Sequence, residues 1–240
     1  METVTTNFSR MSEPAPKPEL LRRLGQLVRG LSALFWGLPL TLLVYFQTAR
    51  TDLFDALGMF AIVPPVLVSG LLLFGLAQIG QFQKQERIWR STVERARLFG
   101  VVNLGLSPFL YWWHRLPFVQ LYNVAVLLLT VSSLLFLFIL NRVLDRLAAM
   151  LPDETLRLET KLFTTFNRRV LLAIPLLFFV YFALTFISPT PEFLKIILEQ
   201  TETQGLWFAI FLILMPLAMT MALIWKIKEV VFASILETDR

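Results

Sequence analysis

Two runs of 23 residues, 57–79 and 118–140, contain no charged side chain. A hydrocarbon core about 30 Å thick needs roughly 20 apolar residues of helix to cross it. Each run therefore reads as a membrane-spanning helix. Uncharged apolar runs at 170–187 and 206–225 satisfy the same requirement. A fifth, 31–47, is slightly shorter and follows Arg29, whose long side chain can reach the headgroups. The sixth, 98–113, has the length of either a span or an interfacial helix. With 56% hydrophobic and 16% charged residues, the chain is far from a water-soluble domain or a disordered segment.

The basic residues decide the sixth run, because Lys and Arg collect in the cytoplasmic loops of membrane proteins. Arg10, Lys17, Arg22, Arg23 and Arg29 precede the first run. Lys84, Arg87, Arg90, Arg95 and Arg97 follow the second. Arg142, Arg146, Arg157, Lys161, Arg168 and Arg169 lie between the fourth and fifth, and Lys226, Lys228 and Arg240 form the tail. Two basic segments flank runs three and four, so an even number of crossings separates them and 98–113 must cross. The expected fold class is all-α: a polytopic integral membrane protein with six transmembrane helices in three hairpins and amphipathic surface helices. Nineteen of the 22 basic residues then face the cytoplasm, with Arg50, Arg115 and Lys195 outside. Both termini are cytoplasmic, residues 1–18 form a flexible cytoplasmic tail, and 19–240 form a single six-span domain. Residues 1–18 do not read as a secretory signal. The short loops and compact size point to a bacterial plasma (inner) membrane. The net charge of +5 is explained by this sorting, and no nucleic-acid partner is expected.

A basic segment precedes each hairpin, which suggests an internal repeat. Residues 37–46 of the first run match 173–182 of the fifth at Pro39/Pro175, Leu40/Leu176, Val44/Val180, Tyr45/Tyr181 and Phe46/Phe182. Prolines recur in five runs, at Pro39, Pro64 and Pro65, Pro108, Pro175 and Pro216. Each removes a helical hydrogen bond and frees the carbonyl four residues back. In lipid, another group must satisfy that carbonyl. Such positions are compatible with a kinked path through the bundle, and equally with the general frequency of proline in membrane helices.

The connecting segments carry amphipathic patterns. Phe82, Trp89, Val93 and Ala96 alternate with basic residues across 81–97, predicting a basic helix lying on the inner leaflet. Residues 141–151 continue the fourth span, with Leu144, Leu147 and Leu151 on one stripe. Pro152 ends that helix and Asp153 caps the next, in which Leu158, Leu162 and Phe166 lead to the fifth span. Thr190-Pro191-Glu192 is a helix start, predicting a short amphipathic outer helix with Phe193, Leu194, Ile196 and Ile197 on its apolar face.

An ionisable residue within a span would indicate a pump, proton relay or ion site. None occurs within the six runs. The uncharged polar residues there include Asn103, Ser107, Asn123, Thr130, Ser132 and Ser133, and Asn123 is placed to bond backbone freed by Pro108. Tyr111-Trp112-Trp113-His114-Arg115 reads as an outer aromatic belt. The alternative for His114 is a pairing with Asp52 or Asp55 as an external acid–base or metal group. Ala33 and Gly37 form one small-xxx-small pair. No cysteine is present and no nucleotide, phosphate-loop, zinc-protease or serine-hydrolase motif occurs. No catalytic, cofactor-binding or metal residue is therefore assigned, no cofactor is expected, and enzymatic activity is not favoured. The expected function is a non-enzymatic membrane subunit or scaffold that holds a membrane-protein partner through its basic cytoplasmic helices or span surfaces. Anionic inner-leaflet lipids are the other expected partners. The alternative is a transporter or lipid-handling protein that uses a proline-kinked helix interior.

Overall fold

A computed structural model describes residues 18–82, 86–151, 153–185 and 192–238. The predicted tail, Pro152 and the Thr190–Pro191 helix start lie outside these residues. Among the described residues, seven α-helices follow in order: α1 Pro18–Arg50, α2 Val63–Ile79, α3 Arg87–Leu106, α4 Phe109–Arg115, α5 Gln120–Met150, α6 Glu154–Thr185 and α7 Glu192–Thr238. A 3-10 segment, Asp52–Ile62, joins α1 to α2. Among the described residues, four stretches are long and apolar enough to cross a bilayer: Arg22–Arg50, Leu57–Ile79, Gln120–Met150 and Ile210–Ala233. The chain is an all-α, multi-pass integral membrane protein.

Three details depart from the sequence expectation. The run 98–113 is not one helix: α3 ends at Leu106 and α4 begins at Phe109. Pro108 has no N–H for the carbonyl of Leu104, and the Ser107 hydroxyl donates to that carbonyl at 2.9 Å instead. The amphipathic stretch before this run is not a separate surface helix. It forms the first half of α3, because no proline or glycine lies between Arg87 and Leu98. The outer helix expected near Glu192 is likewise the start of α7, which runs unbroken to Thr238. Its polar stretch 199–205 contains no proline, and Gly205 costs only about 1 kcal/mol in a helix. Pro39, Pro175 and Pro216 all lie inside continuous helices. Pro64 and Pro65 stand in the first turn of α2, where the missing N–H costs least. Ahead of them Gly58 has φ +54°, which only glycine adopts cheaply.

The helices close a ring: α1 on α2, α2 on α3, α3 on α5, α5 on α6, α6 on α7, and α7 back on α1. The α1–α2 contact is the most extensive and brings backbone against backbone. A Cβ on Gly30 would lie 2.8 Å from the Gly75 carbonyl oxygen, and one on Gly37 would lie 2.8 Å from Leu72. Small residues let backbones approach in this way, and in lipid such packing is the main attraction between helices. Gly37 was expected to act with Ala33; its partner along the seam is Gly30, two turns away.

The packed core is concentrated at one end. Leu27 of α1, Trp89 of α3, Leu144 and Leu147 of α5, Leu156 of α6, and Ile227 and Val231 of α7 all belong to it. These seven lie outside the six apolar runs, and the core continues into the adjoining ends of the runs through Leu31, Leu76, Leu140, Ile174 and Ile224. At 1.5 Å per residue, α5 and α6 are each about 46–48 Å long, well beyond the hydrocarbon thickness. The excess lengths meet at this end and bury their apolar stripes against each other as a helical head. The stripe expected on the extension of α5 is present, with Leu144 and Leu147 fully buried. Asp153 caps α6 as expected: its carboxylate accepts from the N–H of Thr155 at 2.9 Å and of Leu156 at 3.1 Å.

Candidate functional site

The strongest concentration of polar chemistry lies where α5, α6 and α7 meet. Asn141 is one residue past the apolar run of α5, and Asn167 is three residues before that of α6. Thr220 is four residues past Pro216 in α7. All three are fully buried. Asn141 Nδ2 donates to the Leu137 carbonyl at 2.8 Å and to Thr220 Oγ1 at 3.0 Å. Asn167 Nδ2 lies 3.0 Å from Asn141 Oδ1, 3.1 Å from the Pro216 carbonyl oxygen and 2.9 Å from Thr220 Oγ1. Thr220 Oγ1 in turn donates to the Pro216 carbonyl at 2.8 Å. Thr160 and Thr164 extend the polar face of α6 below Asn167, and both are buried. The cluster thus ties three helices together at the proline of the third. Each bond of this kind contributes about 0.6 kcal/mol on average in membranes. Leaving a buried partner unmade costs more, about 1–3 kcal/mol. Sequence reasoning placed Asn141 and Asn167 in a cytoplasmic connector and did not single out Thr220. The available signal was two uncharged amides abutting the span ends where arginines otherwise dominate.

The basic face of the head adjoins this cluster. Arg142 and Arg168 both lie over the ring of Phe138, with guanidinium carbons 5.0 and 5.1 Å from its centroid. The Nε of Arg168 is buried and makes no hydrogen bond within the described residues. Lys226 of α7 pairs with Glu159 of α6. The Asp153 carboxyl is held below its ordinary 3.8, first by the Thr155 hydroxyl and then by the Leu156 N–H. On the outward side of α6, Leu158, Leu162 and Phe166 are exposed in one stripe, the first two by 66% and 73%.

On the α2–α3 side, Arg97 reaches across to the last turn of α2 and donates to the Ala77 carbonyl at 3.1 Å. Deeper, the half-buried Tyr45 hydroxyl of α1 hydrogen-bonds the buried Ser69 hydroxyl of α2 at 2.7 Å, and Ser69 donates to the Pro65 carbonyl. Thr130 bonds within its own helix, to the Val126 carbonyl.

At the opposite end, the aromatic belt is assembled from α4 and the start of α5. Trp112 stacks on Tyr122 and meets Tyr111 edge-on, while Arg115 lies over Tyr111. Asn123 does not reach backbone freed by Pro108. Its Oδ1 accepts from Trp113 Nε1 at 2.6 Å and its Nδ2 donates to the Pro117 carbonyl. The α4–α5 turn brings Trp113 over the first turn of α5, and Ser107 already serves the Leu104 carbonyl. His114 does pair with Asp52, Nε2 to Oδ1 at 2.9 Å, although Asp52 remains 83% exposed. The side chain of Asp55 is outside the described residues. Among the described residues no three His, Cys, Asp or Glu side chains converge as a metal site would require. An exposed two-residue pair of this kind can orient a loop.

Comparison of the chain with known protein families, with curated proteins and with solved structures finds no match.

Proposed function

We propose that this protein is a non-enzymatic membrane scaffold that crosses the bilayer six times, with both termini and the helical head on the cytoplasmic side of a bacterial plasma membrane. Convergence of five segments into one core supports an even number of crossings between them: each segment outside the apolar runs on α1, α3, α5, α6 and α7 contributes to it. Those segments also carry most of the basic residues, which favours the cytoplasmic side. Lys226–Glu159 and the Asp153 cap rigidify the head rather than serve chemistry.

The observation that carries the scaffold reading is the stripe Leu158, Leu162 and Phe166. Leu158 stands 12 residues before the apolar run of α6, or about 18 Å along the helix axis. The headgroup layer adds only about 5–8 Å to each side of the hydrocarbon. An exposed leucine pair at that height faces water unless a protein covers it. Arg157 and Lys161 flank the stripe, so the fitting occupant is an amphipathic helix with acidic residues beside its apolar face. Full-length protein purified in mild detergent should carry a second protein in stoichiometric amount. L158S/L162S should release it while leaving the melting temperature unchanged, since neither side chain is packed. Wild-type protein that purifies alone overturns the reading.

The lipid-handling alternative also has one observation in its favour. A groove of about 560 Å³ runs between α3 and α5, lined by Phe99, Val102, Leu106, Leu128 and Val131 and by the buried Ser132. Lipid or solute movement across liposomes by the protein alone would favour it over the scaffold.

A further inference from the structure

We infer that Arg142 and Arg168 form a specific site for the phosphate headgroup of an anionic lipid, at the seam between α5 and α6. Three observations converge on it. The first is charge. Both guanidiniums lie over the same phenyl ring, at 5.0 and 5.1 Å from its centroid, so the two cations stand within about 10 Å of each other and repel. Neither makes an ion pair with an acid among the described residues, although Asp145 lies one turn from Arg142 on α5. The ring quadrupole of Phe138 attracts each cation but does not neutralise either.

The second is donor capacity. A guanidinium offers five N–H donors in a planar fork that matches phosphate oxygens. Arg168 is partly buried, and its Nε has no acceptor from the described residues. Both guanidiniums are already held at the Phe138 ring, so part of the ordering an anion would require is in place.

The third is depth, which chooses the source of the phosphate. The apolar run of α5 ends at Leu140 and that of α6 begins at Val170. Arg142 and Arg168 thus each stand two residues outside the hydrocarbon, about 3 Å along the axis, at the level of lipid phosphates. Phe138 lies just inside the boundary, beside the first acyl carbons. Arg146 and Arg169, both exposed on the same two helices, add to the local positive potential. Basic pockets between helices at this depth are suited to anionic headgroups. The site adjoins the Asn141–Asn167–Thr220 junction, since Arg142 and Arg168 each follow one of its amides in sequence. A lipid held there would brace the α5–α6 contact. The inference depends on membrane placement alone and not on what docks to the head.

The test is native mass spectrometry of the full-length protein, delipidated in non-ionic detergent. Three probes are added separately: dioleoyl phosphatidylglycerol, dioleoyl phosphatidylcholine and inorganic phosphate. Wild-type protein should retain phosphatidylglycerol in preference to phosphatidylcholine. R142Q/R168Q should weaken that preference by about five-fold per arginine removed, while R22Q/R23Q at the exposed start of α1 should leave it intact. R142K/R168K keeps the charge and loses the fork, so an intermediate loss is expected; it also answers the question should the glutamine variant fail to fold. Equal binding by wild type and by both double variants at 142 and 168, or equal loss in R22Q/R23Q, overturns the site. Displacement of the lipid by submillimolar inorganic phosphate overturns the lipid assignment in favour of a free anion.

Discussion

The two ends of this bundle are built on different principles. At the basic end, Leu27, Trp89, Leu144, Leu147 and Ile227 are fully buried in a continuous core. At the aromatic end, Phe118 and Val119 ahead of α5 and Leu121 in its first turn are all exposed, and beside a few buried side chains such as Leu110 and Tyr111 the contacts are ring stacking and single hydrogen bonds. The physical reason is the solvent. Where helices leave the lipid, apolar side chains gain by escaping water, and they pack. Where helices are surrounded by acyl chains, an exposed leucine costs nothing, and only shape and polar bonds hold neighbours together. The contrast teaches that the head, not the spans, contributes the hydrophobic part of the tertiary stability.

The largest test of that contrast is a pair of truncations. Leu144→Ala in the head should lower stability by about 2–5 kcal/mol, measured by thermal unfolding in detergent. Leu127→Ala, a span residue 63% exposed to lipid, should change it by less than about 0.5 kcal/mol. Equal effects would abolish the distinction between the ends. Next in size is the polar junction. Asn167→Leu removes the side chain that bonds Asn141, Thr220 and the Pro216 carbonyl together, and should cost about 0.6–1.7 kcal/mol while folding and membrane insertion survive. A complete loss of folded protein would show that the junction, rather than the head, dominates.

Smaller effects sharpen the picture of the head. The Asp153 carboxyl is depressed below 3.8 in the folded state by the bonds it accepts from Thr155 and Leu156. A depressed carboxyl stabilises the fold above its unfolded pKa, and that contribution is lost as the pH falls through the folded value. The melting temperature of the wild type should therefore fall more steeply below about pH 4 than that of Asp153→Asn. Parallel curves would show that the cap is not coupled to unfolding. The smallest effect is at the aromatic end: His114→Ala removes an exposed pair with Asp52 and should shift stability by less than about 0.5 kcal/mol. Loss of any measured activity in that variant would reinstate the external acid–base reading of the pair.

Much of the architecture was legible in the residues, and the misses are instructive. The four stretches that meet the spanning requirement contain the runs 31–47 and 57–79 and most of 118–140 and 206–225, whereas 98–113 and 170–187 are not among them in the described residues, and Asp153 marked the start of α6. The continuous helices α3 and α7 were misread as separate surface and spanning pieces. A change from polar to apolar sequence marks a change of solvent, and a helix passes through such a change without breaking. The pairing of Asn123 was also misjudged. Pro108 recruits its nearest hydroxyl, Ser107, and the α4–α5 turn presents Trp113 to Asn123 instead. The His114–Asp52 pair, one of two partners considered, is present.

The amino-acid order alone determined the medium, because helical runs without charge have no stable alternative to lipid, and it determined the all-α class, because unbonded backbone cannot persist there. Only the folded bundle decided which helices touch. Apolar helix surfaces are nearly interchangeable in acyl chains, so the choice fell to local shape at Gly30 and Gly75 and to three polar side chains at 141, 167 and 220. Those residues are remote in the chain, and none advertises its partner until the helices have packed.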